Sequence, residues 1–454
     1  MVHIGTEAVE LQHWSAHQRL SALKSILPPR KVLAALHHSG GGQSHCPRVG
    51  DIFMIWFVIA LGLCCRDCYR QVYRWLVPWK KNDVPGRSTL CMARQRVGVA
   101  PLVRLARSVV QLLADPHTPG AFYRDLRLMA IDGFVVDIPD LPGNDRVFDR
   151  PGNQRSPGAF PQAQVLGLLE CATHVFWRWL IKPCHVAETL MARPLLKHLQ
   201  ANMLLLWDRG FLGYDLVQQV GNRRAHLLAR IKNNRVFPPV HVLSDGSYLS
   251  RMYRNDSDRR ADRNGIDVRI IEYTLSDPAR TGRGQKHRLL TTLLEEMPDP
   301  AAMLVALYHV RWEEELSIDE LKTHQMERPV LRSQTPAGVV QEIHGLMLAH
   351  YVVRTLMHEA SKQVPISPLR ISFVATLKIL RCRLPECPRT PQARRRWHKD
   401  LLAEIAEEQI PSRRNRINPR VIKRQQSQWP KKRPQHRLCP QPTASFRESV
   451  VILR

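Results

Sequence analysis

The chain lacks any apolar run long enough to cross a bilayer. Its longest, Ile52 to Cys65 (IFMIWFVIALGLCC), falls well short of the roughly 20 residues a spanning helix needs, so a buried helix is expected there. No basic-then-apolar leader with a small-residue cleavage site opens the sequence, and export is not expected. The 10 cysteines follow no framework spacing, which excludes a disulfide scaffold and suits a reducing cytoplasm. Cys65-x-x-Cys68 is the one close pair. It lacks a second pair at zinc-finger spacing and has Cys64 beside it, so these residues read as small core side chains. Internal repeats are absent too. Acids are scarce relative to bases: 40 Asp and Glu against 67 Lys and Arg, a net charge of +27. Such a field draws polyanions and releases their counterions, which makes nucleic acid the first partner to consider. With 44% hydrophobic and 24% charged residues over 454 positions, wholesale disorder is excluded and two or three folding units are expected.

From about Leu11 to Leu113 long apolar stretches carry Leu, Ala, Arg and Gln, broken at Ser39 to Gly42 and Pro85 to Ser88. This predicts an all-helical N-terminal domain, residues 1–120. Ser88-Thr89 would cap a helix carrying Arg94, Gln95 and Arg96, either a DNA-reading element or a solvated face. After Leu126 the pattern changes to short apolar and β-branched runs bounded by turn residues, the mark of strands. Gly143 to Pro161, rich in Gly, Pro, Asn and Arg, reads as a loop. A helix from about Val186 to Leu199, the strand Met203 to Trp207, a helix from Tyr214 and a strand at Ala225 to Ile231 complete an α/β order of ribonuclease H-like type. A mainly β insertion is expected at about 233–298, with strands in SYLSRMY, IDVRIIEYTL and HRLLTTLL and polar loops at Asn255 to Gly265 and Ser276 to Gly284. Helical periodicity returns at Ala301 to Thr323 and Val339 to Ala360. The catalytic region is thus placed at 121–380. Residues 381–454 read as a basic, partly disordered tail with Arg394-Arg395-Arg396, Arg413-Arg414, Lys423-Arg424, Lys431-Lys432-Arg433, Trp397 and Trp429.

Three acids stand out. Asp132 follows an apolar strand and precedes Gly133, which would let a metal and a phosphate approach the backbone, although Asp-Gly is also a turn signal. Asp137 lies at an odd offset from it and would point to the opposite face. Asp208 ends the most hydrophobic strand, where open α/β sheets bind ligands; a helix N-cap is the alternative. Glu315 lies in YHVRWEEELSIDELK. On a uniform helix Tyr308, Arg311, Glu315 and Lys322 fall within an arc of roughly 60°. One stripe would then present a phenol, a guanidinium, a carboxylate and an ammonium, a surface suited to phosphate chemistry. Arg311 and Glu315 at i, i+4 would equally serve a salt-bridged solvent face.

At this passage the sequence resembles the insertion-sequence-4 family of bacterial transposases, whose signature Tyr-x2-Arg-x3-Glu-x6-Lys is met by Tyr308, Arg311, Glu315 and Lys322. Asp132-Gly133, Asp137-Ile138-Pro139-Asp140, Arg150-Pro151-Gly152, Gly158 to Gln162, Asp208-Arg209-Gly210-Phe211 and Asp319 to Thr323 agree with it, and the likeness runs from about Leu11 to Arg437. The resemblance implies a DDE transposase: a ribonuclease H-like catalytic domain with a β-rich insertion. Its Asp132, Asp208 and Glu315 would hold Mg²⁺, or Mn²⁺ in its place, and Tyr308, Arg311 and Lys322 would contact DNA. It implies two-metal cleavage and strand transfer at terminal inverted repeats of double-stranded DNA, cut-and-paste transposition into target DNA, a homodimer in the synaptic complex, and a cytoplasmic, nucleoid-associated protein. A ribonuclease H-like nuclease and an inactive relative acting as a DNA-binding repressor are the competing readings. The chain departs from the family at Phe134, where Thr is common, and at Trp207, where a small residue is usual. It has no Trp between Asp208 and Tyr308, so Tyr248, Tyr253 or Tyr273 would have to stack on a flipped base. The expected geometry brings Asp132, Asp208 and Glu315 together and leaves Asp137 and Glu313 outside.

Overall fold

The computed structural model describes residues 21–39, 49–77, 84–152, 157–232, 234–274, 285–388 and 390–411. Its N-terminal part forms helices α1 (Ser21–Ile26), α2 (Pro29–His37), α3 (Asp51–Leu63), α4 (Tyr69–Leu76), α5 (Arg87–Val97) and α6 (Ala100–Val109). Helix α3 holds the long apolar run and is buried from Phe53 to Leu63, as a helix apolar on all sides must be. No described helix is long and apolar enough to cross a membrane. Cys65 is buried and Cys68 exposed, and burial pushes the Cys65 thiol up to about 12, which keeps it an inert core group.

The sheet begins with β1 (Phe122–Tyr123) and β2 (Leu126–Asp137); helix α7 (Pro142–Phe148) follows, then β3 (Gln162–Glu170), β4 (Val175–Pro183), α8 (Glu188–Leu196), β5 (Met203–Trp207), α9 (Tyr214–Gly221) and β6 (His226–Arg230). Helix α7 occupies part of the stretch expected to be a loop. Pro142 starts it, where a missing N–H costs nothing, and Arg150 just beyond is buried against Asp140 and Asp145. The chain continues through β7 (His241–Val242), β8 (Tyr248–Met252), α10 (Asp256–Arg260), β9 (Ile266–Tyr273) and β10 (His287–Thr291). The short α10 lies within a segment read as polar loop; Asn255 caps it by accepting from the Asp258 N–H at 2.8 Å.

All ten strands form one mixed sheet in the order β4-β3-β2-β5-β6-β10-β9-β8-β7, with β1 beside β2. β2, β5 and β6 are parallel, whereas β3 runs antiparallel to both of its neighbours, β2 and β4. The β-rich insertion therefore extends the central sheet: β10 pairs antiparallel with β6, Leu290 opposite Ala229.

Helix α11 (Ala301–Tyr308) is followed by a 3₁₀ turn (His309–Arg311), α12 (Trp312–Asp319) and a π-helical turn (Glu320–Gln325). Then come the long α13 (Pro336–Ser361), α14 (Phe373–Arg383) and α15 (Pro391–Glu407). α15 lies in the region expected to be a basic tail. Its Trp397, Leu401, Leu402 and Ile405 are buried. Of the basic pairs expected there, Arg413-Arg414, Lys423-Arg424 and Lys431-Lys432-Arg433, with Trp429, lie outside the described residues. Two cores result. Residues of α3, α8, α9, α14, α15 and the C-terminal half of α13 pack on one face of the sheet, and those of α11, the π turn and the start of α13 on the other.

Helices α3 and α13, far apart in sequence, cross at two glycines. A Cβ on Gly62 would lie 2.4 Å from the Gly345 carbonyl oxygen, and one on Gly345 would lie 2.5 Å from the Val58 carbonyl oxygen. Backbone-to-backbone contact of this kind admits no side chain at either position. One arginine of α5 is also taken inward. Arg94 is 4% exposed and bonds Gln341 at 3.1 Å, Ser333 at 2.9 Å and Tyr69 at 2.5 Å, while Arg96 pairs with Asp51 at 2.8 Å. For Arg94 the reading as a DNA-reading or solvated residue is corrected, since its guanidinium ties α5 to α4 and α13; Arg96 stays exposed while pairing α5 with α3.

Candidate active site

β2 does not end at Ile131 but runs on through Asp132 to Asp137. Alternation along it sends Asp132 toward the face of Ala130 and Phe134, and Asp137 toward the face of Ile131. Asp137 is held by Gln162, whose Nε2 donates to Oδ1 at 2.8 Å. On the parallel neighbour β5, Ala130 of β2 is in register with Leu206. Two residues farther along each chain stand Asp132 and Asp208, so the two acids leave adjacent strands at the same end of the sheet.

The third acid arrives on a helix that is not uniform. The 3₁₀ turn and the π turn rewind it on either side of α12, so the arc drawn for constant pitch does not apply along its whole length. The first three stripe residues stay together. The Arg311 guanidinium lies 5.8 Å from the Tyr308 ring centroid, and its Nη2 is 3.4 Å from Glu315 Oε1. Tyr308 is buried, and its hydroxyl donates to the Trp207 carbonyl at 3.2 Å, which pins the helix to the end of β5 one residue before Asp208. Lys322 falls in the π turn, and no hydrogen bond or ion pair joins it to that trio.

Electrostatics links Asp132 to the same helix. Burial pushes its carboxyl from the ordinary 3.8 up to about 6; Glu188 and Glu315 push the same way, while the Gly133 N–H, at 2.8 Å, and Arg311 oppose them. Among the described residues no three His, Cys, Asp or Glu side chains are gathered tightly enough to hold a metal ion as they stand. The donor set nonetheless fits a hard divalent cation. A buried carboxylate crowded by two others carries excess negative charge that such an ion neutralises, and every candidate donor is an oxygen.

Beneath the helix lies a polar network that the sequence reading missed. His174, in the turn between β3 and β4, sits 3.0 Å from Glu320 through Nδ1 and 3.1 Å from Glu313 through Nε2. His350 meets the other Glu320 oxygen at 3.2 Å, Arg354 stands 3.6 Å away, and Arg354 Nε donates to the Thr173 carbonyl at 2.7 Å. Burial alone would push the Glu320 carboxyl up, but Arg354, His174 and His350 hold it well below the usual carboxylate range. The network anchors the start of the π turn and engages Glu313 through His174. Histidines and acids far apart in sequence gave no sign of it.

The tyrosines of the β-rich extension are engaged with their neighbours. Tyr248 Oη contacts Glu272 and Arg288 at 3.3 Å each, Tyr253 bonds Asp262, and Tyr273 stacks on His287 with centroids 5.2 Å apart.

The chain also matches known protein families. The transposase DDE domain family matches residues 124–352, just over half of the chain, and the insertion element 4 transposase N-terminal family matches residues 17–107. The transposase InsG for insertion sequence element IS4, from Escherichia coli strain K12, is 26% identical over 441 residues, covering 94% of this chain and 98% of its own. Among solved structures, a piggyBac transposase synaptic complex with hairpin DNA aligns over 88% of this chain and 87% of that one, with 12% identity and a TM-score of 0.42. A likeness of that size carries no further weight.

Proposed function

The chain belongs to the DDE transposase family, and from that premise we propose that it binds the terminal inverted repeats of its own insertion element and carries out metal-dependent cleavage and strand transfer of DNA. The strands β2 to β6, with their parallel centre and antiparallel edge, are read as a ribonuclease H-like catalytic unit. Asp132, Asp208 and Glu315 would hold Mg²⁺, with Mn²⁺ as a substitute. The carrying observation is the meeting of three elements: adjacent parallel strands carry the two aspartates toward one end of the sheet, and the Tyr308 to Trp207 bond draws the Glu315 helix onto that end.

When bound, the ions would activate the attacking oxygen and stabilise the leaving one in phosphoryl transfer. The remaining chemistry belongs to the protein. Arg311, whose side chain is 13% exposed beside Glu315, would offer a guanidinium to a phosphate oxygen. Lys322 would add charge nearby, and Tyr308 would fix the helix. The net charge of +27 favours association with the DNA backbone throughout. Pairing of two transposon ends implies a homodimer in the synaptic complex, and action on chromosomal DNA places the protein with the nucleoid in the cytoplasm.

The test is a strand-transfer assay on pre-cut ends. Joined product with Mg²⁺, lost in Asp132→Ala, Asp208→Ala and Glu315→Ala, is the expected result. Cleavage without joining would point to a nuclease. DNA binding by all four proteins with no product from the parent would point to a repressor.

A further inference from the structure

Glu188 is the first residue of α8 and lies beside the strand that carries Asp132. An ideal Cβ on Gly133 would be 2.8 Å from Glu188 Oε1 and 3.2 Å from Leu166 Cδ1. The carboxylate therefore rests against the backbone of the residue that follows Asp132, in space only a glycine leaves open. The Gln164 amide points at the same oxygen, with Nε2 donating to Oε1 at 3.0 Å. Gln164 is 8% exposed, and its own Oε1 is buried with no hydrogen-bond partner. Leaving such an oxygen unsatisfied is unfavourable. An acid in the first turn of a helix is explained by the helix dipole alone. That account covers neither the seat against Gly133 nor the unsatisfied amide oxygen. A cation would use both, because hard divalent ions take carboxylate and amide oxygens together.

We propose that Glu188 is a fourth carboxylate of the metal centre, sharing a divalent ion with Asp132, and that Gln164 positions it and offers its amide oxygen to that ion or to its water. The proposal rests on the reading of Asp132, Asp208 and Glu315 as metal ligands. It gives Gly133 a specific purpose, since any side chain there would displace Glu188.

The experiment measures binding of Mn²⁺ to the full-length chain without DNA, by calorimetry and by electron paramagnetic resonance. Glu188→Gln and Gly133→Ala are expected to weaken Mn²⁺ binding at least tenfold, with melting curves in chelator close to that of the parent. Glu188→Asp keeps the helix-terminal charge but shortens the reach, and it is expected to weaken binding as well; parental affinity in that variant would reduce Glu188 to a dipole partner and overturn the proposal. Should Glu188→Gln fail to fold, Gly133→Ala and Glu188→Asp decide the matter. Affinity lost in Asp132→Asn but kept in all three Glu188 and Gly133 variants would overturn the fourth ligand and leave the three-acid reading intact. Parental affinity in Asp132→Asn, Asp208→Asn and Glu315→Gln would overturn that reading, and this one with it. Asp256→Asn, on the distant α10, is the control expected to change nothing.

Discussion

Replacing Asp132 by Asn removes one buried charge and keeps an oxygen to accept from the Gly133 N–H, now at 2.8 Å. Burial first, then Glu188 and Glu315, push the Asp132 carboxyl from 3.8 to about 6. At about 1.36 kcal/mol per pH unit, the ionised form is disfavoured in the fold by about 3 kcal/mol. The unfolded chain releases this proton near 3.8 and the folded chain near 6, so between those values folding takes up a proton. Stability contributed by the protonated acid is full below 3.8, falls as pH rises, and is gone above about 6. Asn does not titrate. The Asn variant should therefore match the parent near pH 3.5, gain on it through pH 4 to 6, and level off about 3 kcal/mol more stable at pH 7.5. Paired guanidinium denaturation in chelator across that range measures the difference. Excess Mg²⁺ should then erase the advantage by stabilising only the parent. Equal stability at pH 7.5, or a gap that does not vary with pH, would refute the reasoning.

Arg354→Ala removes the cation closest in effect to the buried Glu320 carboxylate. Stranding that charge should cost about 3 to 5 kcal/mol in denaturant unfolding at neutral pH. Because the folded Glu320 carboxyl is held well below 4.5, the contribution is complete above 4.5 and fades as pH falls through the lower folded value, so the parent and variant curves should converge in acid. Gly345→Ala sets a methyl 2.5 Å from the Val58 carbonyl oxygen; separation of α3 from α13 should lower stability by about 1 to 3 kcal/mol and shift the emission of the buried Trp56 to the red.

Much of the strand framework was legible because it is apolar at close range. Met203 to Trp207 reads as a buried strand from five successive large hydrophobic residues, and β8, β9 and β10 each fall within the runs picked out for them. The helix carrying Glu315 was legible in extent but not in pitch. Its 3₁₀ and π turns answer to Tyr308 reaching Trp207 and to Glu320 meeting His174, His350 and Arg354, partners 30 to 146 residues away. Nor does periodicity distinguish a basic residue facing DNA from one facing inward. Arg94 reads as either DNA-facing or solvated, and the carbonyl and side chains of α13 and its approach draw it inward. Glu188 was hidden for the same reason: as the first residue of a helix it is ordinary, and only the pairing of β2 with β3 brings Gly133 and Gln164 to its side.

What the sequence by itself determined is the chemistry on offer: the basic excess, the apolar runs that become strands and the buried α3, and the Tyr-Arg-Glu-Lys spacing together with two acids that follow apolar runs. These are properties of short stretches, set by side-chain type and the periods of helix and strand. The tertiary structure alone decided which strand ends the two aspartates share, where Arg94 points, and that the β-rich segment extends the central sheet rather than standing apart from it. Each of those outcomes depends on groups distant in the chain arriving within a few ångströms, and burial then raises the energetic stakes of every charge they bring.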